Sequence, residues 1–232
     1  MELLNSELNN EEFVSSEEAY LGATEDHQEY FIEEVTVKKK YFYRFVKRLF
    51  DFISALIFSI ILLLPMIILA ILVKCTSKGP AFYSQKRVGL NGKEFTLIKY
   101  RTMRVDAEKD GARWASENDE RITKFGKFLR KSRLDELPQL WNILIGQMSI
   151  VGPRPEREIF YKEFDKYIHG FRQRTKIKPG MTGLAQINGG YDLKPEEKII
   201  YDVEYMKKRS IWLDIKIMFK TVAVIFNHKG AK

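Results

Sequence analysis

The sequence predicts an α+β protein: a mostly helical cytoplasmic domain with a small β-hairpin, anchored by an N-terminal re-entrant membrane helix and by interfacial amphipathic helices. Three observations lead there. Residues 52–73 form an uncharged apolar run with lysines and arginines on both sides. Two β-prone segments follow, joined through Gly89-Leu90-Asn91-Gly92. Downstream, apolar patterns of helical length end at glycine or proline.

With 232 residues, part of them in the apolar run, the chain has room for one compact domain. It divides into an acidic tail over 1–40, a membrane helix over 41–78 broken at Pro65, and a cytoplasmic domain over 79–232. Residues 1–34 hold eleven Asp and Glu and no Lys or Arg, which leaves the rest with 39 basic against 20 acidic residues. So polar a tail buries too little surface to offset its ordering entropy and is expected to be disordered. The competing reading is a short helix from Glu11 to Tyr20 docked on the basic domain. The acidic start also lacks the basic n-region of a secretory signal peptide.

The 22 uncharged residues from Phe52 to Val73 make about 33 Å of helix, enough for a hydrocarbon core of about 30 Å. Lys38, Lys39, Lys40, Arg44, Lys47 and Arg48 precede them, and Lys74 and Lys78 follow. Basic flanks favour the cytoplasmic side. A spanning helix would expose one cluster outside, whereas a helix that enters and returns keeps both inside. Pro65 supplies the break, since proline removes a backbone donor and clashes with the preceding turn.

Ala81–Val88 and Glu94–Arg101 read as the strands of a hairpin. Helical patterns cover Ile122–Arg130 and Leu134–Ile145, the latter closing at Gly146. The apolar run Met148–Val151 ends at Gly152-Pro153-Arg154-Pro155, and Lys178-Pro179-Gly180-Met181-Thr182-Gly183 suits a turn whose amides approach an anion. Ser210 caps a helix over Ile211–Phe226. Its apolar face suits either the membrane surface or the closing of the domain core.

A surplus of 19 positive charges outside the tail points to polyanions: nucleic acid, anionic lipid or phosphorylated substrates. One cysteine, Cys75, excludes an internal disulfide, and His27, His169 and His228 are too scattered for a local zinc motif. Asp135 and Glu136 adjoin at the start of an apolar helix, where acids also serve as ordinary capping residues. Arg130, Lys131 and Arg133 crowd them, however, and the setting suits phosphoryl transfer. One carboxylate attacks phosphorus while the other binds a divalent cation or removes a proton. Such chemistry needs cations to balance the transition state. Arg154, fixed between Pro153 and Pro155, is the first candidate. Lys99, Arg101 and Arg130 are candidates for the same anion site, and Asp202 for holding an arginine or a metal; each alone also reads as a surface charge.

Leu134-Asp135-Glu136-Leu137-Pro138-Gln139-Leu140-Trp141-Asn142, Val151-Gly152-Pro153-Arg154-Pro155 and Lys178 to Gln186, with Lys47-Arg48-Leu49-Phe50-Asp51 upstream, resemble the bacterial sugar transferases, the monotopic phosphoglycosyl transferases. The resemblance runs from about residue 44 to the C-terminus. It implies a re-entrant helix in the bacterial inner membrane, a domain half-sunk in the cytoplasmic leaflet, and Mg2+ held by Asp135 and Glu136. It also implies two steps. Asp135 attacks the sugar-bearing phosphorus of a UDP-sugar and releases UMP; polyprenyl phosphate then takes the phosphosugar. Lys99, Arg130, Arg154 and Asp202 fall where the family places active-site residues. Where relatives often carry Ser-Pro at the helix break, this chain has Leu64-Pro65.

Two other functions fit parts of the sequence. A non-enzymatic scaffold binding membrane lipid explains the charge but not Pro153-Arg154-Pro155 near the acid pair. Nucleic-acid binding rests on charge alone, and the apolar segment counts against it, so no nucleic acid is expected. The sugar and the glycan pathway are not encoded in these motifs, and a homo-oligomer is compatible with them.

Overall fold

A computed structural model describes residues 28–109, 119–190 and 193–226. The helix considered at 11–20 and most of the acidic tail lie outside the described residues. In chain order the elements are β1 (Tyr30–Phe31), α1 (Tyr41–Ile61), α2 (Leu63–Thr76), β2 (Phe82–Val88), β3 (Glu94–Tyr100), α3 (Lys124–Lys131), α4 (Gln139–Leu144), β4 (Ser149–Val151), α5 (Glu158–Phe164), β5 (Ile168–His169), β6 (Gly180–Thr182), α6 (Leu184–Asn188), α7 (Pro195–Lys208) and α8 (Ile211–Phe226). Tight 3-10 turns occur at Leu90–Gly92, Leu134–Glu136 and Phe171–Lys176. Helices dominate and the described strands pair two by two, an α+β composition: β2 with β3 antiparallel, β1 with β5 and β4 with β6 parallel.

The hairpin forms where the sequence places it. Its register runs from Phe82 opposite Tyr100 to Val88 opposite Glu94. Asn91 and Gly92 take positive φ, 56° and 75°, the region that asparagine and glycine tolerate best. α3 starts at Thr123, whose hydroxyl accepts the Gly126 amide at 2.9 Å. Gly126 is required there, since a Cβ would lie 2.0 Å from the Thr102 carbonyl oxygen.

The expected helix over Leu134–Ile145 is instead two pieces. Pro138 has no amide to donate back to Leu134, so the preceding residues tighten into a 3-10 turn, and α4 begins only at Gln139. Arg133, at φ 59°, redirects the chain between α3 and that turn. Gly146, at φ 83°, ends the helical stretch as its sequence position suggests.

Residues 28–40 also depart from the reading as tail. Tyr30 donates its amide to Tyr167 and Ile32 to His169, while the buried Val35 amide donates to Gln173 Oε1 at 2.8 Å. Lys207 pairs with Glu33 and Lys176 with Glu34. Partners about 140 residues away hold the segment, and a composition argument has no access to them.

No single described helix is long and apolar enough to cross a membrane, but α1 and α2, bent by 65° at Leu62, meet that length and composition together. Pro65 lies within the first turn of α2, where a missing amide is tolerated, so the break falls three residues before it. Leu49, Phe52, Ile60, Leu63, Leu64 and Ile71 leave apolar surface exposed along the pair. The opposite sides join the domain: Ala55 packs with Phe95, Leu97 and Ile143, and Val73 with Tyr100 and Leu129.

Polar contacts dock α1. Asp51, buried, accepts the Ser149 hydroxyl at 2.7 Å and the Ile150 amide at 3.0 Å. Arg48 donates to the carbonyls of Ile143 and Leu144 at 2.7 Å each, satisfying the end of α4. Asp214 of α8 accepts from Tyr43, Lys47 and Tyr205. α8 closes the domain core through the buried Asp214 and Ile217, while Trp212 and Phe219 are about three-quarters exposed (77% and 75%).

The docking of α1 through Asp51 is testable. Asp51→Ala leaves the buried Ser149 hydroxyl and Ile150 amide without a partner, at about 2 kcal/mol. In a domain of this size that lowers the thermal midpoint by roughly 4–8 °C. Thermal unfolding of the detergent-solubilised protein measures it, and an unchanged midpoint would show that Asp51 does not dock the helix.

Candidate active site

β3, the Leu134–Glu136 turn and the loop after β4 converge on a cleft of about 580 Å³. Eleven Lys and Arg line it against five Asp and Glu, so the space is set up for anions. Lys99, Arg101, Arg130, Asp135, Glu136 and Arg154, gathered from four stretches of chain, all reach it.

Glu136 is the best-held member. Arg154 donates to both its carboxylate oxygens, Nη1 to Oε2 at 3.2 Å and Nη2 to Oε1 at 2.5 Å, and Arg133 lies 3.8 Å away. Burial alone would push the Glu136 carboxyl up, but Arg154 and then Lys99 outweigh it and hold the group well below the usual range. Asp135 goes the other way. Burial first, and the neighbouring Glu136 charge second, push it up to about 6 against the pull of Lys99, Arg130 and Arg154. No hydrogen bond occupies its carboxylate among the described residues, so the buried acid facing the cleft keeps its lone pairs for a ligand.

Arg154 is fixed through its backbone as well. The Pro153 carbonyl accepts the Gly180 amide at 2.9 Å, and the Arg154 carbonyl accepts Arg174 Nη2 at 3.0 Å. Close packing makes this possible, since a Cβ on Gly152 would meet the Lys178 carbonyl oxygen at 2.5 Å. Arg130 is steadied by Nε donating to Thr102 Oγ1 at 2.9 Å.

Asp202 takes one of its two expected roles, holding an arginine, and Arg101 is shared between the cleft and another contact. Asp202 does not line the cleft; it lies behind Arg174, paired at 2.7 Å with both side chains 1% exposed. It acts on Arg154 through Arg174. Arg101 does line the cleft, but its Nη2 is committed to the carbonyl and hydroxyl oxygens of Ser77 at 2.8 Å each.

Arg174 and Asn142 escaped the sequence reading. Arg174 sits in Arg172-Gln173-Arg174-Thr175-Lys176, a run with the look of a solvated basic turn, yet it is fully buried. Asn142 ties α4 to β3, donating to Thr96 at 2.8 Å and accepting the Ile98 amide at 3.3 Å. Its place after Trp141 in an apolar helix was the available signal: a buried amide there must have partners.

No group of three or more His, Cys, Asp or Glu converges as a metal cage among the described residues. Two carboxylates remain, a hard-oxygen donor set. Mg2+ commonly takes one or two such ligands and completes its shell with water and substrate phosphates. Asp135 fits that role, with Glu136 limited to the lone pairs Arg154 leaves.

The model of the bacterial sugar transferase family matches residues 42–228. The chain is 45% identical over 190 residues to a UDP-glucose:undecaprenyl-phosphate glucose-1-phosphate transferase of Klebsiella pneumoniae, covering 80% of this chain and 41% of the relative. It is 41% identical over 194 residues to a UDP-N-acetylgalactosamine-undecaprenyl-phosphate N-acetylgalactosaminephosphotransferase of Aeromonas hydrophila (82% and 46%). It is 40% identical over 204 residues to a UDP-galactose-lipid carrier transferase of Erwinia amylovora (81% and 42%). The matches span less than half the length of these relatives. With most of its length and all of its cleft inside the matched region, the chain belongs to the bacterial sugar transferase family.

Proposed function

We propose that the chain is a phosphoglycosyl transferase that moves a sugar 1-phosphate from a UDP-sugar to polyprenyl phosphate at the cytoplasmic face of the bacterial inner membrane. The observation that carries this reading is Asp135: a buried carboxylate without a hydrogen-bond partner among the described residues, facing a cation-lined cleft, beside an acid already paired with Arg154. The relatives' names, which pair UDP-sugars with undecaprenyl phosphate, support the substrate classes.

In the first step an Asp135 oxygen attacks the sugar-bearing phosphorus. The bond from that phosphorus to the bridging oxygen breaks, UMP leaves with the oxygen, and Asp135 holds the phosphosugar as a mixed anhydride. In the second, a phosphate oxygen of the lipid attacks the same phosphorus. The Asp135 carboxylate leaves unchanged, and the product is a polyprenyl diphosphate-sugar. Lys99, Arg130 and Arg154 line the cleft and would offset the charge that gathers on the equatorial oxygens. Glu136, ionised and bonded to Arg154, fixes that arginine and is a poor proton shuttle. Asp135, with Glu136 to the extent Arg154 leaves it free, would hold Mg2+, and the ion would supply further neutralisation of the diphosphate.

Trp141, Ile145, Trp212 and Phe219, exposed on or next to α4 and α8, the helices that Arg48 and Tyr43 join to α1, support an interfacial seat. Basic residues before α1 and after α2 support a re-entrant path.

Purified protein with Mg2+, a panel of UDP-sugars and no lipid acceptor is expected to release UMP in a burst matched by a covalent phosphosugar adduct. Asp135→Asn abolishes both, and EDTA suppresses the burst. If the wild-type chain releases no UMP with any sugar, or the variant matches it, the reading fails.

The reaction needs ionised Asp135. Because its pKa is raised to about 6, the reactive fraction is full above that value and falls as pH drops through it. The burst rate is therefore expected to decline about tenfold per unit below roughly pH 6. Mg2+ bound at Asp135 would move this fall to lower pH, so the profile is read across a Mg2+ series; a rate that stays flat down to pH 4.5 at the lowest Mg2+ supporting the burst would exclude Asp135 as the titrating nucleophile.

For topology, Cys75→Ser carrying single cysteines before residue 45 or after residue 78 is expected to react with membrane-impermeant reagent from the cytoplasmic side at both positions. Labelling from opposite sides would replace the re-entrant path with a spanning one.

A further inference from the structure

Neighbouring residues at the end of β3 hold α2 at both of its ends. Tyr100 is 1% exposed, and its hydroxyl donates at 2.7 Å to the carbonyl of Met66, in the first turn of α2. Arg101, the next residue, donates to the Ser77 carbonyl and hydroxyl, one residue past the end of α2. Gly79, at φ 114°, leaves room for this: a Cβ there would sit 2.0 Å from Arg101 Nη1.

The bend needs outside support. Leu62 makes no side-chain cap, Pro65 has no amide to give the Ile61 carbonyl, and Leu64 has no hydroxyl. Tyr100 makes the one side-chain hydrogen bond to the first turn of α2 among the described residues. It does so from the strand that carries Lys99 into the cleft.

The outer side of α2 is apolar and exposed at Leu63, Leu64, Ile67 and Ile71. Its far end leads to Pro80 and Arg101, both of which line the cleft. A lipid lying along α2 would bring its phosphate to that mouth. A water-borne nucleotide has no need of the route.

We infer that Tyr100 and Arg101 are positioning residues that set α2 against the cleft so that a membrane-borne lipid phosphate reaches the phosphosugar on Asp135. The inference rests on the phosphoglycosyl transfer reading above and assigns the clamp to its second step alone. There the lipid phosphate oxygen bonds to the sugar-bearing phosphorus as the Asp135 carboxylate departs. Adduct formation from the nucleotide donor does not depend on it.

Tyr100→Phe tests this with the full chain in phospholipid vesicles, since it removes one buried oxygen and keeps the ring packed on Val73 and Leu129. With UDP-sugar alone, the UMP burst is expected within about threefold of wild type. With polyprenyl phosphate added, transfer from the adduct is expected to fall about tenfold, the scale of one buried hydrogen bond. Cys75, the chain's one cysteine, exposed on the last turn of α2, is a native reporter whose thiol labelling rate should change in the variant. Equal losses in both steps, no loss in either, or an unchanged Cys75 rate would each overturn the positioning role. A wild-type chain that forms no adduct would take down the parent reading and this inference together.

Discussion

The buried ion pair between Glu136 and Arg154 is the contact on which the rest of the cleft depends. It joins the 3-10 turn that follows α3 to the Pro-Arg-Pro turn that follows β4, two segments that share no backbone hydrogen bond. A carboxylate this deep is tolerated only with a partner, and breaking such a pair leaves an uncompensated charge that costs several kcal/mol. Arg154 is in turn held by Arg174, and Arg174 by Asp202 on α7. The acid beside the candidate nucleophile is thereby tied to a helical residue 66 positions downstream.

That arrangement sets the two acids apart. Because Arg154 occupies Glu136, Glu136 stays negative through the physiological range, and its charge adds to burial in raising Asp135. Two adjacent carboxylates thus have unlike properties through unlike environments. One is a permanent anion that orients an arginine; the other is a basic, unoccupied oxygen donor.

Features that depend on neighbours in sequence were legible before the fold was known. Asn91-Gly92 marks the hairpin through its positive φ, Gly146 ends a helix, and Arg154 stands out because prolines flank it. Asp135 and Glu136 were visible as a pair but not as unequal partners, since the inequality comes from Arg154, 18 residues on. Arg174 stayed hidden because its Arg154 contact lies 20 residues away and nothing local separates a buried arginine from a solvated one, while Asn142 showed only as an amide in an apolar helix, its Thr96 partner lying 46 residues away. The same distance effect turned part of an acidic tail into a bound strap and committed Arg101 to Ser77. Pro65 marked the helix break to within three residues, because proline fits the first turn of the new helix and not the bend itself.

The charge pattern of the cleft follows from the proposed chemistry. A carboxylate approaching a diphosphate is repelled, by about 4 kcal/mol per pair of unit charges at 4 Å for an effective dielectric constant of 20. A surplus of lysine and arginine removes that barrier, but unopposed cations would also drag the pKa of Asp135 down and weaken it as a nucleophile. Glu136 resolves the conflict: placed next to Asp135 and locked to Arg154, it opposes the cationic field at the one atom that must stay basic, while leaving that field intact across the cleft where the proposed phosphates would bind. The acid pair and the excess of basic residues are therefore one requirement met from both sides. Removing Glu136 would cost the site an arginine's orientation and the nucleophile's basicity at once.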